Sequence, residues 1–195
     1  MQVPEIVSEI MMRIATLGWG SLIWDPRDLP REGTWQSGGP TLPIEFSRIS
    51  RDCRLTLVID PHNGTPVATR FVLSPRSDPD DAISDLRRRE ETVSDRIGYV
   101  DLKHHSEWCR VHPAALEVIR TWERDHGFDA VVWTDLPANF QEETGEAFSL
   151  DAAERYLRRL PKGAADRARR YIQNAPPEVD TPLRRRLRET GWMQP

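Results

Sequence analysis

The sequence predicts an α+β domain, with a small, mostly antiparallel β-sheet or barrel, flanking helices and a helical C-terminal third. Three observations predict this fold class. Short runs of alternating apolar and polar residues recur between residues 42 and 74, as expected of half-buried antiparallel strands. Helix-start and helix-stop residues bracket the segments 77–91 and 112–127, and from residue 149 onward the pattern is helical. No internal repeat or linker-like stretch interrupts the 195 residues, so we predict one domain over 1–195.

Strand signals are concentrated before residue 137. Extended segments are predicted at 14–17, 42–50, 54–61, 65–74, 97–103 and 129–136. The runs at 42–50 and 54–61 are joined by a short turn and predict a hairpin, which 65–74 extends into an antiparallel meander. Residues 25–40 are rich in Pro, Gly and Asp, and are predicted to be a loop.

Helix signals lie at both ends of the chain and between the strands. Helices are predicted at 4–12, 77–91, 112–127, 149–161, 163–176 and 181–192. The clearest is 112–127, because Pro113 suits a first helical turn and Gly127 suits a helix stop. Thr181 followed by Pro182 predicts the start of the last helix as an N-cap with proline after it.

Charge and composition limit the classes of partner. The net charge of −4 provides no global attraction to nucleic acid or to an anionic membrane surface. No apolar run approaches the ~20 residues of a membrane span. The N-terminus lacks a basic region followed by a cleavage site, and Cys53 and Cys109 are too few for a disulfide framework. We therefore expect a cytoplasmic protein that binds neither nucleic acid nor membrane; the sequence does not predict its oligomeric state.

Residues 17–26, LGWGSLIWDP, place two glycines and a serine between an apolar run and a Trp-Asp-Pro stop. A dinucleotide-binding loop needs a third glycine where Ile23 stands, and a phosphate loop needs a Gly-Lys-Ser/Thr sequence that is absent. What remains is a short run of backbone N–H groups around Gly20, Ser21 and Leu22, which suits a single carboxylate or phosphate. The alternative interpretation is a β-bulge or tight strand exit with no ligand.

A second candidate site lies in residues 86–99, LRRREETVSDRIGY. Glu90 and Glu91 come at the end of a charged helix, just before a loop and a strand. One interpretation is a solvated charged face, which explains most such runs. The other is a glutamate turned into a cavity, where burial raises its pKa into the range of a general base.

Together the two segments resemble the gamma-glutamylcyclotransferase-like family. The stretch T-L-G-W-G-S-L-I-W is similar to the Gly-Tyr-Gly-Ser-Leu-Ile-Trp loop of its ChaC-type branch, and L-x-x-R-E followed by Gly-Tyr is similar to the segment with the catalytic glutamate. The second motif falls on Leu86, Arg89, Glu90, Gly98 and Tyr99. LPANFQ at 136–141 resembles a later Leu-Pro-x-x-Tyr-Gln stretch. The resemblance covers residues 13–145, and the helices within 146–195 match no part of it.

The resemblance implies a small antiparallel barrel and a cyclotransferase activity. In this reaction the α-amine of a γ-glutamyl group attacks its own γ-amide carbonyl, which yields 5-oxoproline and a released amine or amino acid. Glu90 is implied as the acid/base, and Glu91 is the second candidate because the segment before Gly98 is longer than in the family. The implied substrate-binding residues are Thr16, Leu17, Gly18, Trp19, Gly20, Ser21, Leu22, Tyr99 and Trp133. A small-molecule γ-glutamyl substrate is the implied partner, with no metal and no organic cofactor.

Other interpretations follow from the same residues. Trp19 stands where the family loop has a tyrosine, so a hydrogen bond from a phenol at that point is lost. The same glutamate would also serve amide exchange or hydrolysis of a related γ-glutamyl compound, and the fold would also suit a non-catalytic small-molecule-binding or interaction module. A transition-metal site is not predicted, because the candidate ligands lack a standard spacing. Those ligands are His104, His105, Cys109 and His112.

Overall fold

The computed structural model describes residues 12–194, in which seven strands and six α-helices form an α+β fold. The strands are β1 (Ile14–Gly18), β2 (Glu32–Ile49), β3 (Leu55–Ile59), β4 (Thr65–Leu73), β5 (Ile97–Asp101), β6 (Ser106–Trp108) and β7 (Ala130–Thr134). The helices are α1 (Pro79–Glu90), α2 (Pro113–His126), α3 (Phe140–Thr144), α4 (Leu150–Arg159), α5 (Lys162–Asn174) and α6 (Pro182–Glu189), and a 3-10 turn at Ser94–Arg96 precedes β5. The helix predicted over 4–12 lies outside the described residues apart from Met12, which is not helical.

The described strands form one mixed sheet in the order β3-β2-β4-β1-β7-β5-β6. Every neighbouring pair is antiparallel except β1 and β7, which are parallel. The sheet is open in this part of the chain, so the expectation of a closed barrel is not met. In this order β5 and β6 lie at one edge of the sheet and β3 lies at the other. The outer edge of β3 is instead covered at Leu57 by the indole of Trp19 and the hydroxyl of Tyr171.

The prediction of a loop over 25–40 is wrong for its second half, because β2 already begins at Glu32. The composition misleads because this half of β2 pairs with β4 through interrupted register, with irregularities between Glu32 and Gln36 and again between Ser37 and Thr41. Glycines at positive φ accompany these irregularities, at 71° in Gly33 and 92° in Gly38. Such bulges need glycine without ending the strand.

Both predicted ends of α2 and the predicted start of α6 are confirmed. Helix α2 has Pro113 in its first turn and stops at Gly127, whose φ of 63° is left-handed. Helix α6 begins after Thr181, whose side chain accepts a hydrogen bond from the Arg184 N–H, and Pro182 follows as the first helical residue. Both ends use residue types whose backbone geometry suits them without strain.

The sheet is covered on both faces, as the alternation of its buried residues shows. On one face Ile14, Ala130 and Val132 pack with Leu86 of α1. On the other face the intervening residues of β1 and β7 belong to a larger core shared with α2, α4, α5 and α6. The C-terminal helices therefore share a core with the sheet, and α5 lies beside the edge strand β3.

Candidate functional site

One cavity of about 410 Å³ brings the two sequence motifs together. Its walls come from the turn after β1 (Trp19–Leu22), the C-terminal end of α1, the hairpin between β2 and β3, and Tyr171 of α5. Thr134 and Leu136, at and just beyond the end of β7, also line it. Residues far apart in sequence therefore face the same space, and Glu90 and the Gly-Ser turn are among them.

The turn after β1 carries a run of backbone donors. The Ile23 N–H donates to the Gly20 carbonyl at 3.0 Å, and the Asp25 N–H donates to the Ser21 carbonyl at 2.8 Å. No acceptor is found within residues 12–194 for the backbone N–H groups of Gly20, Ser21 and Leu22. The three residues line the cavity, and a run of unused donors of this kind suits an anion or a carbonyl oxygen.

Gly20 gives room for the close approach of a neighbouring side chain and does not adopt an unusual backbone conformation. Its φ lies outside the left-handed region, so the turn does not depend on a conformation that glycine alone favours. A Cβ at position 20 would lie 3.0 Å from the Tyr171 hydroxyl oxygen and 3.8 Å from the Leu57 Cβ. The absence of a side chain lets Tyr171 reach the turn.

Glu90 is the last residue of α1, and its side chain is turned into the cavity wall, with only 16% of it exposed. One carboxylate oxygen accepts a hydrogen bond from the Arg89 guanidinium at 2.8 Å. Burial raises the pKa of Glu90, and the positive charge of Arg89 opposes part of that rise. A carboxylate with these surroundings can hold and release a proton closer to neutral pH than a solvated glutamate.

Glu91 lies next in sequence but faces away from the interior. It caps α1 in a left-handed conformation, with φ at 51° and ψ at 43°. Its side chain is 65% exposed and pairs with Arg27 across 2.6 Å at the rim of the cavity. The change of backbone direction at the helix end separates the two carboxylates, so that Glu90 is mostly buried and Glu91 is exposed.

Arg89 joins the two motifs physically. Its buried guanidinium donates to the carboxylate of Glu90, to the Ser21 hydroxyl at 3.2 Å, and to the backbone carbonyl of Asp25. A planar guanidinium can serve several acceptors in fixed directions. The side chain therefore fixes the position of Glu90 relative to the turn after β1.

The cavity is rich in positive charge. Five arginines line it against three carboxylates, which are Asp52, Glu90 and Glu91. The arginines are Arg27, Arg48, Arg51, Arg54 and Arg89. On the hairpin, Asp52 pairs with Arg54 at 2.9 Å, and the other two arginines have no acidic partner in the lining. The excess of positive charge therefore lies on the hairpin side of the cavity. Such a wall attracts anionic groups.

Three predicted binding residues lie below the cavity rather than on its surface. Thr16 and Leu17 are buried within β1 between β4 and β7. Gly18 ends β1 against Trp35, whose ring would lie 2.6 Å from a Cβ at position 18. Trp19 does line the cavity, but its indole N–H donates to the Leu57 carbonyl at 3.4 Å.

The two predicted pocket walls lie elsewhere. Trp133 is completely buried in the core, where its indole fills the space that the missing side chain of Gly98 leaves. Tyr99 packs with the core on the α1 face, and its hydroxyl is 3.1 Å from that of Ser106. The register of β7 explains the difference, because Thr134, not Trp133, reaches the cavity lining.

Sequence reasoning missed Tyr171 and the arginines of the hairpin. Arg48 and Arg54 appear in the sequence as ordinary polar residues of alternating strands, and Tyr171 as one apolar position of an amphipathic helix. Only the three-dimensional packing places them together. The resemblance gave no help with Tyr171, because it ends before α5.

The histidine and cysteine segment after β5 has protein partners for three of its four candidate ligands. His104 pairs with Asp101, His112 with the Leu136 carbonyl, and the thiol of Cys109 with Asp135. Within residues 12–194, no group of three or more His, Cys, Asp or Glu side chains is arranged to hold a metal ion. None of the helices in that range has both the length and the hydrophobicity to cross a bilayer.

Comparison with known proteins does not identify the chain. No family model, curated protein or solved structure matches it.

Proposed function

We propose that this protein is a γ-glutamyl cyclotransferase-type enzyme, which converts a γ-glutamyl amine or peptide into 5-oxoproline and a free amine or amino acid. The observation that carries the proposal is one cavity lined both by a mostly buried glutamate and by a turn with unused backbone donors. The reaction needs a base for the attacking amine and a site for an oxygen anion. Membership of the gamma-glutamylcyclotransferase-like fold family is part of the same proposal, with the sheet open where a closed barrel was expected.

The chemistry assigned to Glu90 is a proton transfer in both directions. At neutral pH the substrate's α-amine is mostly an ammonium, so Glu90 accepts a proton and frees the nitrogen lone pair. The nitrogen bonds to the γ-carbonyl carbon and closes a five-membered ring, which is fast when the right conformer is held. Glu90 then gives that proton to the leaving nitrogen as the original amide C–N bond breaks. The carboxylate regenerated in this way takes the second proton of the ring nitrogen and passes it to solvent, which leaves the single N–H of the lactam. A raised pKa suits both transfers.

The turn after β1 and the hairpin are assigned to the two ends of the substrate. The N–H groups of Gly20–Leu22 hold the α-carboxylate or the oxyanion that develops on the γ-carbonyl. Arg48, Arg51 and Arg54 favour a leaving group that carries a carboxylate over a cationic amine, because a positive wall attracts the first and repels the second. Within the proposal, peptides and amino-acid conjugates are therefore better substrates than γ-glutamyl polyamines.

The test is 5-oxoproline release from a panel of γ-glutamyl compounds, with Glu90→Gln and Glu91→Gln compared with the wild type. Glu90→Gln cannot accept a proton, and we expect its kcat to fall by at least about 100-fold. Glu91→Gln removes an exposed rim carboxylate, and we expect a change of no more than about threefold, a loss comparable to other surface ion pairs. The wild-type kcat should also fall on acidification at a pH above 4.5, since burial raises the pKa of Glu90 from that value.

Each alternative gives a different result in this assay. Release of glutamate instead of 5-oxoproline would indicate hydrolysis with the same glutamate. Binding of γ-glutamyl compounds without turnover would indicate a non-catalytic binding module. Equal activity of Glu90→Gln and the wild type would rule out the assigned role of Glu90.

A further inference from the structure

The hydroxyl of Tyr171 reaches the turn after β1 from a helix outside the segment that resembles the cyclotransferase family. Its oxygen would lie 3.0 Å from a Cβ at position 20, which is a tight contact, so the missing side chain of Gly20 makes room for the hydroxyl. Small residues of α5 allow this approach: Ala164 and Ala168 are buried on the same helix face as Tyr171. Alanine at these positions lets the helix backbone come close to the sheet.

The phenolic hydrogen of Tyr171 is unused within the described part of the chain. The Tyr171 oxygen accepts a long hydrogen bond from the Leu57 N–H at 3.4 Å, and an acceptor for the hydroxyl hydrogen is not found among residues 12–194. A phenol that accepts one hydrogen bond still has a hydrogen to donate. Trp19 differs, because its single N–H already donates to the Leu57 carbonyl.

The surroundings keep Tyr171 in its donating form. Burial raises the pKa of Tyr171, and the negative charge of Glu90 raises it further, against the opposing effect of the Leu57 N–H. The Arg54 guanidinium lies over the ring, 5.1 Å from its centroid, and the Trp24 ring meets it edge-on at 5.2 Å between centroids. The ring is therefore held between fixed neighbours, with its hydroxyl directed to the cavity lining that includes Gly20 and Leu57.

We propose that Tyr171 donates a hydrogen bond to an oxygen of the ligand bound at Gly20–Leu22, so that helix α5 supplies a donor that Trp19 does not. The ligand oxygen belongs to a carboxylate or to the carbonyl that becomes an oxyanion. This inference rests on the proposed function for the identity of the ligand. It also assigns the C-terminal helices a direct part in the site rather than a purely structural one.

The experiment compares Tyr171→Phe with Tyr156→Phe. Tyr156 is a matched control, since it lies on the neighbouring helix α4 and its hydroxyl donates to the Cys53 carbonyl. For Tyr171→Phe we expect kcat/KM to fall about 10- to 100-fold, as for the loss of one hydrogen-bond donor to a charged oxygen, and 5-oxoproline binding, measured by calorimetry, to weaken by about tenfold. For Tyr156→Phe we expect both values to stay within about threefold of the wild type.

The outcomes separate this inference from the proposed function. If the wild type releases 5-oxoproline and Tyr171→Phe matches it in kcat/KM and in binding, the inference fails while the proposed function stands. If the wild type turns over no γ-glutamyl compound, the proposed function fails and calorimetry with 5-oxoproline decides the inference. Weaker binding by Tyr171→Phe then supports the role of the hydroxyl, and equal binding by both proteins, or binding by neither, overturns it. Thermal unfolding of each variant shows whether a loss of binding merely reflects a loss of folded protein.

Discussion

Arg89 sets the position and the proton affinity of Glu90. It is buried, it donates to Glu90 at 2.8 Å, and it also donates to the Ser21 hydroxyl at 3.2 Å. Its positive charge opposes the rise in the pKa of Glu90 that burial causes. Two separable effects are expected when it is replaced, one from the lost charge and one from the lost geometry.

Arg89→Met removes the charge, so the pKa of Glu90 should rise further and the acidic limb of the kcat profile should move up by about 1 pH unit or more. Arg89→Lys keeps the charge but not the planar fork, so its limb should stay near the wild-type position while kcat/KM still falls about tenfold or more. Arg88→Met is the control, because Arg88 is an exposed neighbour on the same helix. A profile for Arg89→Met that coincides with that of the wild type would contradict this coupling.

At the residue scale, the sequence predicted the two motifs that line the cavity better than it predicted the other wall residues. Glu90 and the Gly-Ser turn were chosen from their motifs, and both line the cavity. The choice of Glu90 over Glu91 depended only on the Arg-Glu order, whereas in the structure it depends on the left-handed turn at Glu91. The left-handed residue is a glutamate and not the glycine that usually marks such a helix end. The sequence therefore could not predict which of the two carboxylates faces the interior.

At the element scale, the joint between α5 and α6, which is the segment 173–184 between the end of one helix and the start of the other, helps to position Tyr171 of α5. Arg184 of α6 is buried and its guanidinium donates to the carbonyls of Gln173, Ala175, Pro176 and Val179. These carbonyls lie at the end of α5 and just beyond it, where helical carbonyls lack partners within the helix. One side chain therefore fixes the end of the helix that carries Tyr171.

Arg184→Met should lower the free energy of unfolding by at least about 3 kcal/mol, because several buried carbonyls lose charge-assisted partners. Arg185→Met is the control, since Arg185 is about half exposed and pairs with Asp180 at the surface; its loss should cost less than about 1 kcal/mol. Urea titrations of both variants measure the difference. Similar unfolding free energies for the two variants would show that Arg184 does not hold the joint.

Elements with regular periodicity were predicted well, and those defined by long-range pairing were not. Helix α2 was predicted with its ends because Pro113 and Gly127 act locally. The first half of β2 was missed because its bulges carry loop-like residues, and the three-residue strand β6 was missed because it is too short to show alternation. The parallel pairing of β1 with β7 joins segments that no local pattern relates.

At the scale of the whole molecule, Glu123 makes the stability depend on pH. It lies on α2 with no exposed surface, and among the described residues neither of its carboxylate oxygens has a hydrogen-bond partner. Burial raises its pKa to about 8, and the negative charge of Asp101 adds to that rise, against Arg124 and Arg120. The native state therefore binds a proton at Glu123 that the unfolded chain, with a pKa near 4.5, releases.

The sign of the effect follows from these two pKa values. Between pH 4.5 and about 8 the native state binds more protons than the unfolded state, so stability is full below this window and falls as pH rises through it. The loss is at most about 1.4 kcal/mol for each pH unit.

Glu123→Gln cannot titrate, so its free energy of unfolding should not show this dependence on pH and should exceed that of the wild type at pH 8. Asp125→Asn, an exposed change on the same helix, should keep the wild-type slope. Urea titrations from pH 5 to pH 8 decide the matter: parallel curves for Glu123→Gln and the wild type would mean that Glu123 is already ionised in the native state, and that α2 packs on the sheet with a buried charge.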